Sequence, residues 1–276
     1  MKALRVKSVY SCYPLYQLIF GGNPALKYHE ALCIAEALAL LDFRPSTLIE
    51  LFSGAQENRK PLELALGVPY TGVDLHPYKD NVVLDLSLDF SGRLPKTDLM
   101  IAGFRSIEDT VCNERGLITE NVLTQFMRGC ASSLNNGGLL WIDISGEHQD
   151  ILSGVQSQNC SLLQTEAICK AFNIPVPKSR RATLEFDLTL EFDPNTNNNL
   201  CSYTGTLYTD THSRDFIVDR PFVFRYWTPP EIIAAASAAN LKLEAMYHAP
   251  EDFLSTGLLY PPIEYGSANK LVFSPT

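Results

Sequence analysis

At 276 residues and 46% hydrophobic content, the chain has the length of one large domain or two small ones and can bury a sizeable core. Its formal charge is -9, with 22 Lys and Arg against 31 Asp and Glu, and no long basic run offsets this. Nucleic acid is therefore not expected as a partner, because neutralised phosphates supply most of that affinity. The compact basic group Lys178, Arg180 and Arg181 reads as a solvated loop. Seven cysteines, odd in number and never spaced CxxC, point to free thiols in a reducing compartment and to no structural metal. MKALRVKSVY lacks the apolar core of a signal peptide and no apolar run reaches membrane-spanning length, so a cytoplasmic protein that does not enter membranes is expected.

Tyr28 to Leu41 repeats Ala and Leu at helical spacing and predicts a helix, with Pro45 beyond its end. Strands are then expected at Thr47–Leu51, Tyr70–Asp74, Val82–Leu84, Asp98–Ala102 and Gly138–Ile144, with helices or turns between most of them. Such alternation predicts a parallel sheet, since parallel neighbours need a crossover. From Leu184 to Phe192 apolar and acidic residues alternate with the period of a strand with one wet face. DPNTNNN supplies a loop, and CSYTGTLYT continues the pattern as the second arm of an antiparallel hairpin. PFVFRYW, Pro221 to Trp227, is expected to join it; Thr228, Pro229 and Glu231 then open a helix to about Ala239 with a capping-box pattern. LKLEAMYH and Lys270–Ser274 close the chain.

The expected architecture is a single α/β domain over 1–276, with a Rossmann-like, doubly wound, seven-stranded sheet that is mostly parallel and has its last strand antiparallel. A small antiparallel β insertion follows the fifth strand, over 178–227; residues 1–45 form a helical lid segment and 46–150 the cofactor-binding core.

Ligands of open α/β sheets bind at the carboxyl ends of the strands, where strand order reverses. Three acids stand there: Glu50, Asp74 and Asp85. Asp74, in TGVDLHP, follows the turn of ELFSGAQ by about twenty residues, the spacing at which a carboxylate accepts the ribose hydroxyls of an adenosine. Taken singly, Glu50 or Asp74 reads as well as a helix cap or strand end.

The ordered segments ELFSG, GVDLHP, VLDLSLDF, DLMIAGFRS and LNNGGLLWIDI resemble the successive motifs of class I S-adenosylmethionine-dependent methyltransferases, over about Thr47 to Ser145. The resemblance implies S-adenosylmethionine as cofactor and S-adenosylhomocysteine as product. It assigns Glu50 to the methionine amino group, Phe52, Ser53 and Gly54 to the turn beneath the cofactor, Asp74 and Leu75 to the ribose, and Asp85 and Leu86 to the adenine. Ala102, Gly103 and Phe104 border the transferable methyl group. The family's turn carries three alternating glycines; here Phe52 and Gln56 replace the first and third, and a side chain at 56 either displaces the loop or replaces a water.

No cysteine follows a proline, as cytosine-C5 methylation requires, and IAGFRS lacks the Pro-Pro-aromatic element of amino-methylating DNA enzymes. YPLYQLIFGG, the late insertion and FRYWTPPEIIAAASAANLKLEAMY are similar in layout to glycine N-methyltransferase and the deoxyaminosugar N,N-dimethyltransferases. That layout implies a small-molecule acceptor bearing an amine or hydroxyl, and it is compatible with a homo-oligomer.

His148 is the candidate base; Arg105, Tyr13 and Glu147, beside His148, are substrate candidates, and Tyr16, the second catalytic candidate, is expected to close with Tyr13 over the cofactor. Each has a plainer reading, as a solvated loop, core packing or, for Arg105, a surface ion pair. Phe222, Phe224, Tyr226 and Trp227 read first as sheet core. The altered turn also leaves open a scaffold of this fold that transfers no methyl group, or one that uses the cofactor for other chemistry.

Overall fold

A computed structural model describes residues 3–20, 24–75, 77–78, 80–103, 106–109, 120–144, 154–193, 198–220, 222–248 and 269–276. In chain order the elements begin with β1 (Leu4–Val6), α1 (Tyr13–Phe20), α2 (Pro24–Leu40), β2 (Leu48–Leu51), α3 (Arg59–Leu66), β3 (Tyr70–Asp74) and β4 (Val82–Val83). There follow β5 (Thr97–Ala102), α4 (Ser106–Asp109), α5 (Glu120–Ser133), β6 (Leu134–Asp143), β7 (Gly154–Asn159) and α6 (Leu162–Ala171). The last are β8 (Ala182–Asp193), β9 (Asn198–Thr209), β10 (Ser213–Val218), β11 (Phe222–Phe224), α7 (Pro229–Ala238), β12 (Leu241–Tyr247) and β13 (Lys270–Pro275). They gather into two compact units, one of Asn23–Gln149 with Arg225–Thr276, the other of Met1–Gly22 with Asp150–Phe224.

The first unit holds a seven-stranded sheet in the order β12-β13-β6-β5-β2-β3-β4. β4, β3, β2, β5 and β6 run parallel, and β13 is antiparallel to both β6 and β12. The expected antiparallel last strand is thus β13. Strand order reverses at β2, which lies between β3 and β5. In β2 the side-chain alternation divides the core: Leu48 packs with Ala31, Ile34 and Ala37 of α2, whereas Ile49 and Leu51 join Phe126 and Met127 of α5 and Ile232 of α7. Both faces are covered, so β2 is apolar except for Glu50.

α7 starts as its sequence predicts: the Glu231 carboxylate accepts from both the Thr228 backbone N–H and its hydroxyl, each at 2.9 Å. It also pairs with Arg225 at 2.8 Å. Among the described residues no helix is long and apolar enough to cross a membrane.

The second unit is a six-stranded sheet in the order β1-β10-β9-β8-β7, with β11 paired to β9. Leu184, Phe186 and Leu188 of β8 are buried while Glu185 and Asp187 face solvent, as the alternation requires. The inner face meets α6 through Phe172, whose ring lies edge-on to Phe216 at 5.6 Å. This sheet is larger than the one expected over 178–227. Gly154–Asn159 adds an edge strand whose polar sequence carries no alternation, and Leu4–Val6 pairs parallel with Phe216–Val218. The N-terminal 45 residues therefore divide: β1 belongs to the inserted sheet and α2 to the main one.

Candidate functional site

β2 leads into a turn in which Phe52, Gly54 and Gln56 all take left-handed backbone angles, with φ of 57°, 49° and 57°. The three alternating positions keep a glycine-like conformation although only one is glycine, at a cost of roughly 1–2 kcal/mol for each of the other two. Both of those side chains have partners of their own. The Phe52 ring stacks on Phe126 at 5.7 Å. Gln56 is buried, and its Nε2 donates to Asp80 Oδ1 and Asn81 Oδ1, both at 2.8 Å, while its Oε1 accepts from Arg59 at 3.2 Å. Asn81 in turn donates to the Gly54 carbonyl at 2.8 Å and accepts from Ser53 Oγ at 3.0 Å. Gly72 makes room for this bridge, since a Cβ there would lie 2.4 Å from Asn81 Oδ1.

Gln56→Gly is expected to relieve the left-handed strain yet lose three polar contacts, for a net destabilisation of about 1 kcal/mol. Urea denaturation measures it, and a stabilised variant would show that strain outweighs the bridge.

Asp74, at the carboxyl end of β3, accepts the Gly54 backbone N–H at 2.8 Å through Oδ2. Turn and strand end, about twenty residues apart in sequence, are thus joined directly. Leu75, next along the chain, is 46% exposed. Asp85 lies past β4 and holds its own turn, Oδ1 accepting from Ser87 N at 3.0 Å and Ser87 Oγ at 2.5 Å. The Leu86 side chain is buried in the core cluster that includes Phe90 and Phe126, and Ala102 is buried there too.

Glu50 is 2% exposed and sits behind the turn. It accepts from the Tyr70 hydroxyl and from Asn58 Nδ2, the latter at 2.6 Å. Burial pushes its carboxyl up to about 7, against the Tyr70 and Asn58 bonds and the nearby Lys27 ammonium, while Asp74 adds to the rise. Lys27, in the first turn of α2, pairs with Glu57, and burial brings it down to about 8 against the pull of Glu50. Because the Glu50 carboxyl titrates higher folded than its ordinary 4.5, its contribution to stability is complete below about 4.5 and is lost as pH rises through about 7. Glu50→Gln should flatten the wild-type stability profile across that window; an unchanged slope in urea titrations would contradict the assignment.

A second polar group lies at the same edge of the sheet, beside β5. Lys270 of β13 is buried and donates to Asp143 Oδ1 of β6 at 2.5 Å and to Glu30 Oε2 of α2 at 3.1 Å. Glu30 Oε1 accepts from the Trp141 indole at 3.2 Å and would lie 3.7 Å from a Cβ on Gly103. Burial alone would lower the Lys270 ammonium, but the two carboxylates outweigh it and hold it above its ordinary range. Burial raises Glu30, opposed by Lys270; with one oxygen on an ammonium and the other on an indole N–H, the ionised form fits the hydrogen bonds.

Glu50, Ser53, Gly54 and Asp74 are therefore brought together at the switch point, with Gly103 at the end of the neighbouring strand. Phe104, Arg105, Glu147 and His148 lie outside the described residues. Tyr13 and Tyr16 belong to the other unit, their rings stacked at 6.4 Å. Lys27, Asn58, Tyr70 and Asn81 join the site unannounced by any motif. The donor set suits an adenosyl group: a carboxylate beside a turn whose central residue lacks a Cβ gives hydroxyl acceptance and close backbone approach in one place.

No protein-family model matches the chain, and no curated protein matches its sequence. Solved structures do. The sugar N-methyltransferase KedS8 from Streptoalloteichus sp ATCC 53650 is similar at a TM-score of 0.65 and 15% identity, over 100% of this chain and 96% of that one. DesVI from Streptomyces venezuelae gives 0.63 at 15% identity over 97% and 98%. SAM-bound CalS10, an amino pentose methyltransferase from Micromonospora echinaspora, gives 0.60 at 14% identity over 90% and 92%. With the strand order and the single antiparallel strand, these likenesses establish that the chain has the Rossmann-like fold of the class I S-adenosylmethionine-dependent methyltransferases.

Proposed function

We propose that the protein is an S-adenosylmethionine-dependent methyltransferase acting on a nitrogen of a small-molecule acceptor. The observation that carries this reading is the bond between Gly54 N–H and Asp74 at the point where strand order reverses. The likeness to the sugar N-methyltransferase KedS8 along both chains supports the choice of nitrogen.

In this reading Asp74 accepts the ribose hydroxyls and Gly54 lets the main chain pass beneath the ligand. Glu50, buried and held by Tyr70 and Asn58, orients the turn from behind. Bound cofactor supplies an electrophilic methyl group for in-line displacement. The protein's part is then to align the acceptor and exclude water, and an amine nucleophile requires only that its lone pair be free.

The engagement of Phe52 with Phe126 and of Gln56 with Asp80 and Asn81 supports an open bend over a plugged scaffold. Incubation with S-adenosylmethionine and a panel of amino sugars and small amines, read by mass spectrometry, tests the proposal. Gain of one methyl group with release of S-adenosylhomocysteine is expected. Methylation of alcohols alone would reassign the acceptor atom, and cofactor consumption without a methylated product would exclude methyl transfer.

A further inference from the structure

The turn after β2 is not held by its own backbone alone. Asn81, on the segment between β3 and β4, reaches three of its residues at once. Its Nδ2 donates to the Gly54 carbonyl at 2.8 Å, while its Oδ1 accepts from Ser53 Oγ at 3.0 Å and from Gln56 Nε2 at 2.8 Å. Asn81 is itself fixed, since its backbone N–H donates to the Tyr78 carbonyl at 2.9 Å. β3 leaves space for the bridge only because residue 72 is glycine; a Cβ there would lie 2.4 Å from Asn81 Oδ1 and 2.7 Å from Ser53 Oγ. The outer pair of Arg59 and Asp80 adds little, because both side chains are open to solvent.

Gln56 is the residue that needs holding. It is buried and has a φ of 57°, which a glycine adopts freely and a glutamine does not. Without Asn81, strain at this position favours relaxation of a bend whose Gly54 N–H meets Asp74. Resting on the cofactor reading above, we propose that Asn81 is a positioning residue for the cofactor: through Gln56 and the Gly54 carbonyl it keeps the turn in its ligand-ready bend before the ligand arrives. A side-chain bridge thereby does what a glycine at 56 would do by conformational freedom. Asn81 acts through the turn and not on the reacting atoms. Its contribution is to affinity, because a turn that must be re-formed on binding lowers the apparent affinity in proportion to the molecules that have lost it.

Calorimetric titration of the full chain with S-adenosylhomocysteine tests this. Asn81→Ala should bind about tenfold more weakly than wild type, the loss expected when about one molecule in ten holds the competent turn. In a Gln56→Gly chain the same substitution should cost about threefold or less, since glycine needs no bridge to keep a left-handed angle. A second pair of variants leaves Asn81 in place: Gln56→Ala and Gln56→Gly both remove the bond to Asn81, but only alanine keeps the strain, so the alanine variant should bind several-fold more weakly than the glycine variant. Asn81→Ala within about twofold of wild type, an equal loss in both backgrounds, equal affinities of the two position-56 variants, or failure of both alanine variants to fold by circular dichroism would assign the bridge to structure alone and overturn the proposal. Folded wild-type protein that does not bind S-adenosylhomocysteine would instead overturn the cofactor reading itself.

Discussion

Lys270→Met is expected to lower folding stability by about 3–5 kcal/mol, the largest single effect among these residues. Removing the ammonium leaves Glu30 and Asp143 facing each other in a buried site with only the Trp141 indole as a described donor to Glu30. At least one carboxyl must then take up a proton or draw in water. Lys270 also ties α2 to the carboxyl end of β6, so its loss loosens the edge of the sheet as well as unbalancing charge. Urea denaturation of the variant measures the effect. Replacing Glu30 and Asp143 by Leu together with Lys270→Met should recover most of the loss, because the unpaired charge and not the missing volume dominates it. A single variant within 1 kcal/mol of wild type, about the worth of an exposed pair, would mean that water reaches the cluster.

Asp74→Ala should weaken S-adenosylhomocysteine binding by about 1.5–3 kcal/mol, roughly 10- to 150-fold. The substitution removes the carboxylate proposed to accept the ribose hydroxyls and frees the Gly54 N–H, whose partner at 2.8 Å is the same carboxylate. Asp74→Asn separates these roles. Its amide oxygen can still accept from Gly54, so the turn persists while the ribose loses an anionic acceptor, and an intermediate loss is expected. Unchanged affinity in the alanine variant would remove Asp74 from the site.

The parallel core was legible because its central strands β2 and β5 are short, mostly apolar and largely buried runs, and β2 through β6 fall within a few residues of their expected bounds. The β8–β9 hairpin was legible from alternation and from the turn formers of DPNTNNN. β7 was not: GVQSQN is a polar edge strand whose pairing with β8 is set by the sheet and not by its own pattern. β1 is three residues long and pairs with a strand more than two hundred residues away. The capping pair Ser161 and Gln164 in SLLQ did mark α6, a signal that could have been read.

The bond that joins Asp74 to the turn lies within a local spacing of strand, turn and strand. The Glu30–Lys270–Asp143 cluster was not legible, since its bonds span 240 and 127 residues and each member alone reads as a helix or strand-end charge. Gln56 illustrates the limit of motif reading. Its side chain departs from the glycine pattern, yet its φ of 57° retains the conformation that the pattern encodes. What decides the outcome is the polar bridge to Asp80 and Asn81, on a segment some 25 residues further along.

The most direct test is calorimetric titration of the folded wild-type protein with S-adenosylhomocysteine. Saturable one-to-one binding that Asp74→Ala weakens is the expected result. Absence of heat at millimolar ligand, with the protein shown to be folded, would contradict it.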